Sequence, residues 1–145
     1  MKLSILGGIL IAGMTGCAAQ DTSSTRYPQF DQNRQTATYQ GQLQCTHCPD
    51  KPVSLTLSES TVADPMEYLL RIPGEKDQTG TVFETMGNLR YPNQTIYQLV
   101  APLNHPVMTL LALDNGVMKV LNYQDPDHEL TASQGSNNIL MQTQQ

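Results

Sequence analysis

Two cysteines, Cys45 and Cys48, enclose Thr46 and His47 and are followed by Pro49. Thiols at this spacing can close a disulfide, cycle between dithiol and disulfide, or clamp a soft metal ion between two thiolates. Cu(I) accepts a two-coordinate bis-thiolate arrangement, and His47 is placed to add an imidazole nitrogen or to lower a neighbouring thiol pKa. A c-type haem attachment would need His directly after the second cysteine, where Pro49 stands. A structural zinc site would need four ligands, and beyond the cysteines only His47 and the distant His105 and His128 are on offer. As a disulfide, the pair closes a small ring at a strand end, so its stabilisation falls at the low end of the usual ~0–5 kcal/mol.

Other chemistry-bearing residues carry less. Met66, Met86, Met108, Met118 and Met141 lack the close Met-x-x-Met spacing of a thioether copper site, and read as fillers of a core without Trp. Asp125-x-Asp127-x-Glu129 looks like a calcium loop, but Pro126 interrupts it and no glycine follows at the turning position. His105, before Pro106, reads as a solvated loop residue. Asn93-Gln94-Thr95 matches a glycosylation sequon, which has little meaning behind a bacterial leader. No Ser/His/Asp order or paired-carboxylate motif stands out, so no enzymatic activity is expected.

The N-terminus sets the compartment. Lys2 precedes an uncharged apolar run from Leu3 to Met14, well short of the ~20 residues that span a bilayer. Met14-Thr15-Gly16-Cys17 then resembles a lipobox, which predicts a signal peptide over 1–16 and a lipid-anchored Cys17 after cleavage. Three acyl chains at ~0.8 kcal/mol per buried CH₂ would make that anchor effectively permanent. Ala18 and Ala19, rather than Asp, point to the outer membrane. Of the 3 cysteines, acylation of Cys17 leaves one pair, which in an exported protein meets an oxidising compartment.

The mature chain, Cys17 to Gln145, is enough for one domain and too short for two. Loss of Lys2 takes the formal charge of −5 one unit further, and no Lys/Arg cluster exists to bind nucleic acid or anionic lipid directly. Residues 17–36 are polar and predicted as a flexible tether. A domain is expected over 37–132, with a polar tail over 133–145, frayed apart from Ile139-Leu140-Met141.

Within the domain the pattern is β throughout. Val53, Leu55 and Leu57 alternate with Ser54, Thr56 and Ser58; Met66, Tyr68, Leu70 and Ile72 alternate and stop at Pro73-Gly74. Further strands are predicted at Ala37–Gln44, at Val82–Met86 leading on to Leu89 and Tyr91, at Ile96–Val100, at Val107–Leu113 and at Val117–Tyr123. Glu129-Leu130 is a possible eighth. Asp114-Asn115-Gly116 is a short-hairpin signal because Asn and Gly tolerate φ > 0. Short strands separated by turn signals predict an all-β fold, a small lipocalin-like up-and-down antiparallel barrel of seven to eight strands. With no Trp and only Phe30 and Phe83, its interior must be aliphatic, Tyr and Met. Such a barrel is filled by side chains or holds one small ligand.

Tyr39-x-Gly41-x-Leu43-x-Cys45-x-x-Cys48, with the Val53–Leu57 alternation after it, resembles the N-terminal domain of the NlpE family. Phe83-Glu84-x-x-Gly87, Tyr97-x-Leu99 and Leu110-x-x-Leu113-Asp114-x-Gly116 resemble later family segments in order, covering roughly Tyr39 to Leu130. Departures are Gln44 for the usual Pro, Thr46-His47 for Ala-Asp between the cysteines, and Leu89 for an aromatic. Longer members continue into a second, OB-like domain. The resemblance implies an outer-membrane lipoprotein linked to copper tolerance and to envelope-stress signalling through a sensor kinase; the chemistry of the residues themselves makes Cys45 and Cys48, with His47 between them, the candidate copper(I) ligands or redox pair. Two other functions fit the same pattern: a lipocalin-like carrier of a small apolar ligand, and a periplasmic interaction module with a structural disulfide.

Overall fold

A computed structural model describes residues 30–124, 130–131 and 138–143. Their strands are β1 (Thr36–Cys45), β2 (Lys51–Ser58), β3 (Glu67–Arg71), β4 (Gln78–Met86), β5 (Thr95–Ala101), β6 (His105–Leu113), β7 (Val117–Tyr123), β8 (Leu130–Thr131) and β9 (Ile139–Gln142). Helical structure among the described residues amounts to two 3-10 turns, Pro102–Asn104 and Asp114–Gly116.

All neighbouring strands pair antiparallel in the order β2-β3-β4-β5-β6-β7-β9-β1, and β1 pairs back onto β2. The result is a closed eight-strand barrel, as the strand pattern predicts. The two-residue β8 adds only to the overhanging end of β1, at Gln44 and Cys45. Closure removes the free sheet edges that would otherwise template aggregation.

Alternation decides which side chains fill the lumen. On β2, Val53, Leu55 and Leu57 are buried while Ser54 and Thr56 between them are not. Leu43, Leu55, Tyr68, Leu70, Leu99, Met108, Leu110, Val120 and Leu140 are each under 2 % exposed and belong to one core. Each such side chain contributes about 1.5–3 kcal/mol by leaving water. A smaller cluster forms on the outside of the wall. Ile96, Leu111 and Leu121 occupy the opposite faces of β5, β6 and β7 from Tyr97, Leu110 and Val120, and Tyr91 packs on them.

Two local devices bend and close the sheet. Register shifts between β5 and β6 at Leu99/Val100, and between β6 and β7 at Thr109/Leu110, leave Val107 and Leu121 as extra residues, which sharpens the twist. On β1, Gly41 lets β9 approach: a Cβ there would fall on the Ile139 carbonyl oxygen. The predicted hairpin after Leu113 is present, with Asn115 at φ 62° and Gly116 at φ 70°.

The structure corrects three expectations. The strand starting at Val82 begins at Gln78 instead, because Gly80 interrupts the apolar alternation without interrupting the pairing with β3. Leu89 and Tyr91 do not extend a strand. The Asn88 side-chain oxygen accepts the N–H groups of Arg90 (2.9 Å) and Tyr91 (2.7 Å) and turns the chain there. Finally, the stretch expected as a polar tail supplies β9, which sits between β7 and β1 and closes the barrel.

Residues 30–35, within the stretch read as tether, follow the outside of β3 and its approach. Asp31 N–H donates to Glu67 Oε2 (3.2 Å), Arg34 Nη1 to the Pro65 carbonyl (2.9 Å), and the Gln35 carbonyl accepts from Glu59 (2.8 Å). Residues 1–16, expected as a signal peptide, lie outside the described residues, as do Cys17, residues 18–29, Asp125, Asp127, His128 and Glu129. No helix among the described residues is long and apolar enough to cross a membrane.

Candidate functional site

β1 outruns β2. The last β1–β2 register pair is Leu43 with Lys51, so Gln44 to Asp50 project from one end of the barrel as a connection. That end also carries the β3–β4 turn and the 3-10 turn before β6. Cys45 and Cys48 lie within the projection and form a disulfide, with their Cα atoms 5.3 Å apart, inside the ~4.4–6.8 Å such a bond needs.

The pair straddles the boundary of core and solvent. The Cys45 side chain packs against the lumen core, both cysteines are half-buried, and Thr46, His47, Pro49 and Asp50 are exposed. Two side-chain acceptors hold the backbone beneath the bond. Asp50 Oδ1 accepts the N–H of Cys45 (3.2 Å), and Asn138 Oδ1 accepts that of Gln44 (3.3 Å). Asn138 is buried, and its own carbonyl accepts the Val120 N–H at 2.9 Å. Asp50 is legible from a sequence as a turn residue after Pro49; Asn138, in a polar stretch 94 residues away, gives no such signal.

The same end is crossed by a polar network. Glu75, from the β3–β4 turn, lies 3.7 Å from the Lys51 ammonium and accepts a hydrogen bond from the Tyr123 hydroxyl at 3.4 Å. Beside that turn a groove of about 500 Å³ is bordered by Gln40, Ser54, Arg71, Pro73 and Asp77. Its Arg71 is bound to Asp77 at 3.0 Å.

Of the sequence-predicted candidates, the structure brings together Cys45 and Cys48. His47 is in the turn between them, with its side chain in solvent, and His105 is exposed at the start of β6. Among the described residues no group of three or more His, Cys, Asp or Glu could hold a metal ion. Met108 and Met118 are buried in the lumen and Met66 packs against it, so these three fill the core, while Met86 and Met141 are exposed. What the cysteine end offers chemically is therefore one half-buried disulfide, whose two-electron reduction gives two adjacent soft thiolate donors.

Compared with models of known protein families, with curated proteins and with solved structures, the chain matches none.

Proposed function

We propose that this chain is a lipid-anchored envelope protein of the NlpE type, held at the outer membrane through Cys17 with its barrel in the periplasm. In this reading the Cys45–Cys48 pair responds to copper or to redox state, and an envelope-stress sensor kinase receives the signal. The chain works as a sensor or adaptor, without catalysis and without nucleic acid.

One observation supports this above the others. The disulfide joins the end of a single strand to the turn leaving it, on a barrel already closed by hydrogen-bonded strands. For a ring of this size the chain-entropy estimate is about 2 kcal/mol. A bond placed there can be opened without dismantling the fold, as a sensor or a copper clamp requires.

The chemistry balances simply. A dithiol reductant supplies two electrons and two protons, the S–S bond breaks, and Cys45 and Cys48 become thiols while the reductant becomes a disulfide. Loss of the thiol protons leaves two thiolates, which fit Cu(I) as a two-coordinate pair. A periplasmic dithiol oxidase reverses the first step.

The test is a Cu(I) titration of the reduced protein beside growth in copper. Reduced wild type should bind one ion per chain and Cys45→Ser/Cys48→Ser none, with His47→Ala losing far less than either cysteine change. Cells lacking the protein should be copper-sensitive, restored by wild type but not by the double-serine variant. Full restoration by that variant would reduce the pair to a structural bond on a carrier or interaction module. Loss of palmitate labelling in Cys17→Ser checks the anchor.

A further inference from the structure

The barrel end opposite the cysteines gathers side chains that the redox pair does not use. On β4, Val82 is buried in the lumen core; Glu84 and Met86, two and four residues on, fall on the same inward side and are exposed at the rim. Glu84 is the register partner of Tyr97 on β5, and Tyr97 packs against the lumen core. Tyr39 packs on that core from β1, four strands away in an eight-strand ring, hence from the facing wall.

Both phenols are half-buried. Burial pushes both Tyr39 and Tyr97 above the ordinary tyrosine pKa; at Tyr97 the Glu84 carboxylate and then Tyr39 add to the rise, so Tyr97 feels both. Among the described residues Glu84 makes no ion pair, and neither phenol hydroxyl is hydrogen-bonded. Met66, half-buried just before β3, packs on the same core.

We propose that this mouth binds a small organic cation, an alkylated ammonium group of about the size of choline, between the rings of Tyr39 and Tyr97 and beside the carboxylate of Glu84. Aromatic faces attract a cation through their quadrupole, most effectively a weakly hydrated one, and an unpaired carboxylate next to them fixes the sign of the ligand. The alternatives fit worse. An anion meets Glu84. A bare alkali or alkaline-earth ion wants six or more oxygens, whereas the mouth offers one carboxylate and two phenols against thioether and aliphatic walls. A purely apolar molecule makes no use of Glu84, and the lumen below is packed with buried Leu, Val, Ile, Met and Tyr side chains.

The chain has 6 Tyr and no Trp, so its intrinsic emission reports on tyrosines alone. Full-length protein titrated with choline chloride, against sodium chloride at matched ionic strength, should show a saturable change in that emission. Amide shifts should map it to the ends of β4 and β5 around Glu84 and Tyr97. The neutral carbon isostere, 3,3-dimethylbutan-1-ol, should not compete. Glu84→Gln, a change at an exposed side chain, should weaken binding about tenfold, equivalent to ~1.4 kcal/mol. Tyr97→Phe, which keeps the ring, should bind as wild type does, and Tyr97→Leu should lose binding while keeping the wild-type melting curve. Absence of saturation, equal binding of the neutral isostere, or an unchanged affinity in Glu84→Gln would each overturn the proposal. Should Tyr97→Leu fail to fold, the isostere and Glu84→Gln decide it alone.

Discussion

The backbone N–H of Gln44 donates to the side chain of Asn138, 94 residues further along the chain, at 3.3 Å. This bond fixes the residue before Cys45 to the one before the closing strand β9, so the disulfide is tied to barrel closure through a buried amide. Asn138→Ala removes the acceptor and leaves a Gln44 donor without it. The variant should lose about 1–3 kcal/mol of stability, read from denaturant unfolding at constant m. Faster exchange at Gln44 and Cys45 should accompany the loss, with β3 and β4 protected as before.

Gly41 and Ile139 make the second tie at closure. A methyl group on Gly41 would fall on the Ile139 carbonyl and crowd the Leu140 side chain. Gly41→Ala should therefore push β9 off β1 and open the barrel, since the obstacle is backbone and cannot rotate away. The expected loss exceeds the ~1 kcal/mol typical of single substitutions. Hydrogen exchange confined to β1, β7 and β9 would locate it. A melting point equal to wild type would contradict the closure described.

Tyr68 gives a prediction with a pH sign. Its side chain is fully buried in the lumen, and its hydroxyl has no hydrogen-bond partner. Burial pushes its pKa up to about 12 from the ordinary 10.0. A folded-state pKa above the unfolded one means that the stabilisation is fully present below pH 10 and is lost as pH rises from about 10 towards 12. The loss is on the order of 3 kcal/mol at the top of that window. Tyr68→Phe should flatten the alkaline limb of the stability profile. At neutral pH it should be neutral or stabilising by up to about 1 kcal/mol, because it removes a buried donor that bonds to nothing.

What could be read from the sequence follows from the range of the forces involved. Val53, Leu55 and Leu57, or Asn115 and Gly116, announce themselves because alternation and positive φ are local properties. The barrel follows from enough such segments in a row. β9 hides because Ile139–Gln142 is a short strand whose hydrogen bonds all come from β7 and β1, elements that the local pattern does not see. Tyr91 hides for the opposite reason: it looks like a strand residue, but the neighbouring Asn88 captures the backbone first. The cysteine pair is legible as a pair, and its support from Asn138 is not. Likewise Glu84, Tyr97 and Tyr39 read separately as ordinary strand residues, and only closure of the ring sets β1 opposite β5.

The disulfide itself should matter little to the fold. Cys45 and Cys48 enclose only two residues, the ring crosses no strand pair, and β1 keeps eight register pairs with β2 whether or not the bond exists. The chain-entropy estimate for such a ring is about 2 kcal/mol, an upper value if the turn is already ordered in the unfolded chain. Cys45→Ser/Cys48→Ser, or reduction with dithiothreitol, should lower the unfolding free energy by that amount at most. Amide shifts should change over Gln44 to Lys51 and at Asn138, and nowhere on β4 to β6. If reduction instead unfolds the barrel, or shifts signals throughout the lumen, the bond is a structural staple. The sensing role then loses its physical basis, because opening the switch would destroy the protein that carries it.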